Sequence, residues 1–223
     1  MGNRAVITTP EKKVGLYLHW NGGIDTIRPL LRYCGMKGYR PPSSDIYGWA
    51  RMCQVLGNFL GGTLSLGIGP YTTDRQMDPG DNGIYVIDGW KIVDRLHTEY
   101  DADFNPVGMA HGGIDALQGE ELYDFDEMLR AFDAAMPENE RLGAYLDAVE
   151  IPVGEVVVGD EIWMQNVDDS FHAYPVEGFG TGRVNGLDRT GVPYVRRYDH
   201  GGDWSWNPNN YPTGDRVRIV PRQ

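Results

Sequence analysis

The string Gly83-Ile-Tyr-Val-Ile87-Asp88-Gly89-Trp90-Lys-Ile-Val93 constrains this chain more than any other. Two apolar, β-branched and aromatic runs flank an Asp-Gly pair, which supplies the positive φ angles of a tight hairpin turn, here expected as type I′. A hairpin forces its two strands antiparallel. An all-parallel, doubly wound sheet is thereby excluded, because parallel neighbours need crossover connections. Ala5–Thr8 and Gly15–Trp20 read as a second strand pair across Pro10-Glu-Lys-Lys13, and Leu64–Ile68 alternates as a further strand.

Between those strands the period changes. After Asn21-Gly-Gly-Ile-Asp25-Thr26, the residues Ile27, Leu30, Leu31 and Cys34 keep helical spacing. Asp25 or Thr26 is the expected N-cap and Gly35 the expected C-cap. A second helix is expected from a Ser44 or Asp45 cap, with Ile46, Trp49, Met52, Cys53, Leu56, Phe59 and Leu60 as its apolar stripe and Gly61-Gly62 as its stop. A third opens at Asp124-Phe-Asp-Glu127, a capping-box variant, and presents Phe125, Met128, Leu129, Phe132 and Met136 before Pro137. Residues 70–82 and 99–121 read as loops. From Val149 the texture becomes short Val-rich runs with recurrent turn signals, as in a small antiparallel barrel. The expectation is α+β: residues 1–148 as an antiparallel or mixed sheet with about three helices, then 149–223 as a small SH3-like β-barrel.

Charge limits the function classes. The 223 residues carry 32 acids against 20 Lys and Arg, a net −12. That field repels nucleic acid and anionic membrane, so direct nucleic-acid binding is not expected, and basic partners are favoured. Two cysteines make no disulfide framework. The start of the chain shows no signal-peptide apolar region and no run long enough to cross a bilayer, so a cytoplasmic protein is expected.

The chemistry-bearing strings are few. Asn21-Gly22-Gly23-Ile24-Asp25-Thr26, between a strand and a helix, resembles the Ser-Gly-Gly-x-Asp-Ser loop of the PP-loop ATP pyrophosphatases. The resemblance implies backbone amides at a helix start cradling nucleotide phosphates. Asn21 replaces the first serine of that pattern, and a glycine turn with an Asp cap explains the same residues. Cys34 and Cys53 lie on apolar helix faces as small hydrophobes rather than as thiols paired with His19. Asp101-Ala-Asp-Phe-Asn105 begins like an EF-hand loop, but lacks its glycine and its closing glutamate. His19, His97, His111, His172 and His200 have no metal-ligand spacing, and nothing singles out a catalytic pair of carboxylates. No metal and no cofactor are expected.

Two clusters read as partner-binding. Glu120, Glu121, Asp124, Asp126 and Glu127 crowd a helix start, where the dipole favours them. With Glu99, Asp101, Asp103 and Asp115 they can form an acidic face that occupies a basic groove. Trp204 and Trp206, with Tyr198, Tyr211, Arg196, Arg197, Arg216 and Arg218, suit recognition by stacking and hydrogen bonding.

Tyr17-Leu-His-Trp-Asn-Gly-Gly23, Tyr47-Gly-Trp-Ala-Arg51, Gln54-Val-Leu-Gly-Asn58 and Tyr85–Asp94 resemble an uncharacterised family of gut and clostridial-type bacteria, prophages and conjugative elements, over about residues 1–137. The resemblance implies a mobile-element setting and carries no catalytic residues. Two readings follow. The leading one is a phage or mobile-element acidic protein that inhibits or modulates a basic, nucleic-acid-handling host complex, such as a CRISPR-type defence effector. The alternative is a nucleotide-binding enzyme using Asn21, Gly22, Gly23, Asp25 and Thr26.

Overall fold

The computed structural model describes residues 2–62, 65–112, 123–165, 171–184, 187–195 and 216–222; side chains at 182–184, 187–189 and 194 lie outside the description. The fold is α+β, with one mixed and one antiparallel sheet. The chain divides into two compact units, Met1–Glu138 and Asn139–Gln223.

The first unit carries a six-stranded sheet of β1 (Ala5–Thr8), β2 (Val14–Leu18), β3 (Leu66–Pro70), β4 (Ile84–Asp88), β5 (Lys91–Tyr100) and β6 (Pro106–Gly112), in the order β3-β2-β1-β4-β5-β6. Only β1 and β4 run parallel; the other neighbours are antiparallel. The β4–β5 hairpin forms where expected, with a shifted turn. Asp88 pairs with Lys91, so the loop residues are Gly89 and Trp90, and Gly89 alone takes a positive φ, 61°. Glycine at the first loop position is the type II′ signature, not type I′.

Residues 99–121 hold a strand where a loop is expected. β5 runs on to Tyr100 and pairs with β6. The EF-hand-like string is the turn between them, closed by Asp101 Oδ1, which accepts from the Asp103 and Asn105 amides at 2.9 and 2.8 Å. The side chain satisfies the backbone groups that a tight turn leaves open.

Four α-helices lie among the described residues: α1 (Ile24–Met36), α2 (Ile46–Leu60), the single turn α3 (Asp74–Met77) and α4 (Phe125–Ala135). Helix α1 starts earlier than its side chains advertise. Gly23 is the N-cap, no side chain caps it, and Asp25 falls in the first turn. It also runs through Gly35 to Met36, because Gly35 lies flat against the Trp90 indole and ends nothing. Asp45 caps α2 by accepting from the Tyr47 amide, and Gly61 closes it in the left-handed conformation at φ 63°. Ile46 at 81% and Phe125 at 42% exposure leave the predicted stripes, since the first residue of each helix faces away from the core.

The strand register sorts the core into two faces. Val6, Ile84, Val86 and Leu96 form a buried cluster with Tyr17, Tyr71, Met77 and Met109 packed on it. The alternate residues Ala5, Ile7, Leu16, Leu18, Tyr85 and Ile87 point to the opposite face and are equally buried. Helices α1, α2 and α4 pack on one another, through Leu30, Tyr33, Met52, Leu56 and Phe132. Tyr33 donates to Asp133 Oδ1 at 2.9 Å inside that layer, tying α1 to α4.

The second unit holds β7 (Val149–Pro152), β8 (Glu161–Gln165), β9 (Phe171–Val184), β10 (Leu187–Val195) and β11 (Arg216–Ile219), all antiparallel, in the order β10-β9-β8-β11-β7. Its core is Val156, Ile162, Met164, Tyr174, Val176, Val195, Val217 and Ile219. Tyr145 belongs here: its ring stacks on Phe171 at 4.2 Å and meets Trp163 edge-on at 5.5 Å. One of the Val-rich runs, residues 155–158, forms no strand. A short 3-10 turn at Val153–Glu155 leads to exposed Val157 and Val158. Among the described residues, no helix is long and apolar enough to cross a membrane.

Candidate functional site

One end of the six-stranded sheet gathers polar groups, and the register explains why. The C-terminal end of β2 lies beside the N-terminal ends of β1 and β4, and beside the second half of β5. The turn into α1, the segment before β1 and the segment before β4 therefore meet there.

The glycine turn is locked to its neighbours through the main chain. Asn21 adopts φ 57°, and the Gly22 amide donates to the Asn3 carbonyl at 2.7 Å. A Cβ on Gly22 would sit 2.7 Å from the Ala5 nitrogen, the Ala5 Cβ and the Arg4 carbonyl carbon, so glycine is required by close backbone approach. At Gly23 an added Cβ would collide with Asp25 Oδ1, so the carboxylate folds back over the helix start. Asp25 Oδ2 accepts from the Tyr123 amide at 3.2 Å. Asn21 is half-buried, whereas Gly22, Gly23, Asp25 and Thr26 are buried. Among the described residues, the Thr26 hydroxyl has no hydrogen-bond partner, and the buried Tyr85 hydroxyl is in the same condition. Burial first, opposed by Arg95 and then supported by the Asp25 charge, pushes the Tyr85 phenol up to about 12.

Beside the turn runs a second network that sequence reasoning missed. Arg4 grips Asp81 through its backbone amide at 3.0 Å, Nε at 2.8 Å and a terminal nitrogen at 2.9 Å. The Arg4 hydrogen bond is the main cause that draws the Asp81 carboxyl down to about 2. Asn82 donates to the Asn3 side chain and to the Arg4 carbonyl, and its own carbonyl accepts from Arg95 Nε at 2.7 Å. No local motif marks these residues, because the partners are 13 positions apart for Asn82 and Arg95 and 77 to 79 for the rest.

The structure thus brings Asn21, Gly22, Gly23, Asp25 and Thr26 together at the start of α1. The strand before them belongs to an antiparallel hairpin, not to a β-α-β crossover. Of the acidic residues, Asp124 spends its carboxylate on the Asp126 and Glu127 amides as the α4 cap, at 2.9 and 3.0 Å, and Asp126 and Glu127 are exposed in the first turn. Glu120, Glu121, Trp204 and Trp206 lie outside the described residues, as do Asp115, Arg196, Arg197, Tyr198 and Tyr211. Arg216 pairs with Glu150 at 3.0 Å, and Arg218 lies over the Tyr145 ring, so both face partners within their own unit. Burial pushes both cysteine thiols up, in keeping with packing rather than reactivity. Among the described residues, no group of three or more His, Cys, Asp or Glu side chains is placed to hold a metal ion.

No family model and no solved structure matches the chain. A curated relative does: the chain is 23% identical to a D-alanine--D-alanine ligase of Limosilactobacillus fermentum over 218 residues, covering 89% of this chain. The chain spans about half the length of that relative, 51%. This finding overturns the leading expectation of a non-enzymatic acidic modulator of a host defence complex. Net charge, the lack of a recognisable catalytic string and the mobile-element resemblance carried that expectation, and none of them weighs against likeness to an enzyme across most of the chain.

Proposed function

We propose that the chain is a nucleotide-binding enzyme of ligase type, with the turn Asn21–Thr26 receiving nucleotide phosphates. The observation that carries this reading is the likeness to the ligase over 89% of the chain. The geometry supports the location. An uncapped helix start offers partial positive charge to an anion, and the glycines let a backbone approach closely. Asp25 faces the same point, so the phosphates bind as their magnesium complex, with the cation between the two negative groups. The acceptor to test first is D-alanine, after the relative. The C-terminal sheet is read, within the same proposal, as a small SH3-like barrel. What supports this is the pair of register shifts between β9 and β10, one of them beside Gly191 at φ 75°, since bulges increase the bend and twist of a strand.

Thermal denaturation with ATP and magnesium tests the reading. Ligand at about a hundred times its Kd stabilises by about 2.7 kcal/mol, a rise of roughly 5–10 °C in Tm for a unit of this size. Asp25→Ala is expected to remove the rise measured from its own baseline. Phosphate release in the presence of D-alanine reports turnover. No Tm change with any of several nucleotides would sink the proposal.

A further inference from the structure

A cleft of about 390 Å³ opens at the same sheet end, beyond the glycine turn, lined by Asp78, Asp81, Arg95, His97, Thr98 and Tyr100 among others. Its chemistry follows from which of these groups are already committed. Asp78 Oδ2 accepts from the Thr98 amide and hydroxyl, both at 2.6 Å, and Oδ1 accepts from the Gly80 amide at 2.9 Å. Asp81 is spent on Arg4. The carboxylates are therefore internal struts that shape the wall.

The donors are different. Arg95 is half-buried, its guanidinium lies 5.4 Å over the Tyr85 ring, and its Nε is fixed on the Asn82 carbonyl. Among the described residues it has no carboxylate partner, in a chain where acids outnumber Lys and Arg 32 to 20. Its terminal nitrogens have no hydrogen-bond acceptor among the described residues, in a fork already oriented by the Tyr85 ring and by one hydrogen bond. The exposed side chains of His97 and Tyr100 have no hydrogen-bonded partner among the described residues either. With the Asp78 and Asp81 carboxylates committed, the guanidinium fork is the charged group that the wall leaves open. His97 and Tyr100 can each donate beside it, so the wall favours an acceptor ligand.

We infer that this cleft is a binding site for a small oxyanion, a carboxylate or a phosphate, held by the Arg95 fork with His97 and Tyr100 beside it. The planar guanidinium meets either group with two parallel hydrogen bonds, and its stacking on Tyr85 removes much of the entropy such a clamp otherwise loses. The volume suits a ligand of a few heavy atoms to metabolite size. Repulsion from the acidic surface is screened within about 10 Å at ordinary salt, so the local clamp decides the outcome. The site is independent of the nucleotide reading, because it uses none of the residues from Asn21 to Thr26.

The test is a titration of the full ¹⁵N-labelled chain with succinate and, separately, with inorganic phosphate, without nucleotide, following backbone amide resonances by NMR. Saturable shifts confined to the amides of Gly80, Arg95, His97 and Thr98 are expected with at least one of the two, and the stronger response identifies the source. Arg95→Gln is expected to weaken binding by about tenfold or more, and His97→Gln by a few-fold. Should Arg95→Gln fail to fold, Arg95→Lys carries the same test, since it keeps the charge and loses the fork. No saturable shift with either anion, or shifts that survive unchanged in the Arg95 variant, would overturn the inference. An ATP-induced Tm rise that survives Asp25→Ala but disappears with Arg95→Lys would instead assign the nucleotide's phosphates to this cleft.

Discussion

Adding one methyl group at two glycines should move stability in opposite directions. At Gly22 the new Cβ would fall 2.7 Å from the Ala5 nitrogen and from the Arg4 carbonyl carbon, both main-chain atoms of the strand β1 region. Carbon and nitrogen atoms repel steeply at that distance, and backbone in the middle of a six-stranded sheet has little freedom to retreat. The turn must open, which also lengthens the 2.7 Å bond from the Gly22 amide to Asn3. Overpacking of this kind costs about 1–3 kcal/mol, and a weakened backbone hydrogen bond adds about 0.5–1.5 kcal/mol. Gly22→Ala should therefore lose roughly 2–4 kcal/mol. At Gly57, inside α2 and exposed, an added Cβ meets nothing within 4 Å. There Ala is the better helix former, and Gly57→Ala should gain about 0.5–1 kcal/mol. Urea unfolding monitored by circular dichroism, with m-values compared, reads both. Equal stabilities for the two variants, or Gly22→Ala the more stable, would refute the packing argument at the turn and with it the claim that this turn is rigid.

Two further outcomes follow from single contacts. Tyr33→Phe removes the buried donor to Asp133 and should destabilise the first unit by about 1.5–3 kcal/mol in the same assay, the range for hydrogen bonds to charged groups; a change near zero would mean that water replaces the phenol. The Arg4–Asp81 pair sets an acid limit. The folded Asp81 carboxyl titrates at about 2, below the unfolded value of about 3.9, so its contribution is fully present above the unfolded value and is lost as pH falls through 2. Asp81→Asn should flatten the stability-versus-pH curve between those two values, and an unchanged slope would count against the pair.

Much of this molecule was legible in its sequence because the relevant physics is local. The apolar runs around Gly89 dictated an antiparallel pair, the 3.6-residue spacing of Met52 and Leu56 dictated a helix face, and Asp45, Gly61 and Asp124 marked helix ends through hydrogen bonds or φ angles within three residues. Where competing local signals met, tertiary contact decided. Gly35 reads as a helix stop, yet Trp90 packs on it and the helix continues. Asp25 reads as a cap, yet the bond from Gly22 to Asn3 starts the helix at Gly23. The functional expectation was overturned by the likeness to the ligase along the chain, which charge and the absence of a familiar catalytic string do not register.

The pairing of β1 with β4 in parallel is the clearest case. It joins residues nearly eighty positions apart and sets Asn3, Arg4, Asp81, Asn82 and Arg95 at the end of the sheet where the glycine turn also lies. Sequence alone determined the β4–β5 hairpin and the existence of α1, α2 and α4, since each is governed by neighbours along the chain. Only the tertiary structure decided that Arg95 would stand oriented over Tyr85, without a carboxylate partner among the described residues, while Asp78 and Asp81 were spent on other donors. Hydrogen-bond saturation depends on which distant groups the fold brings within 3 Å, and no local pattern encodes that.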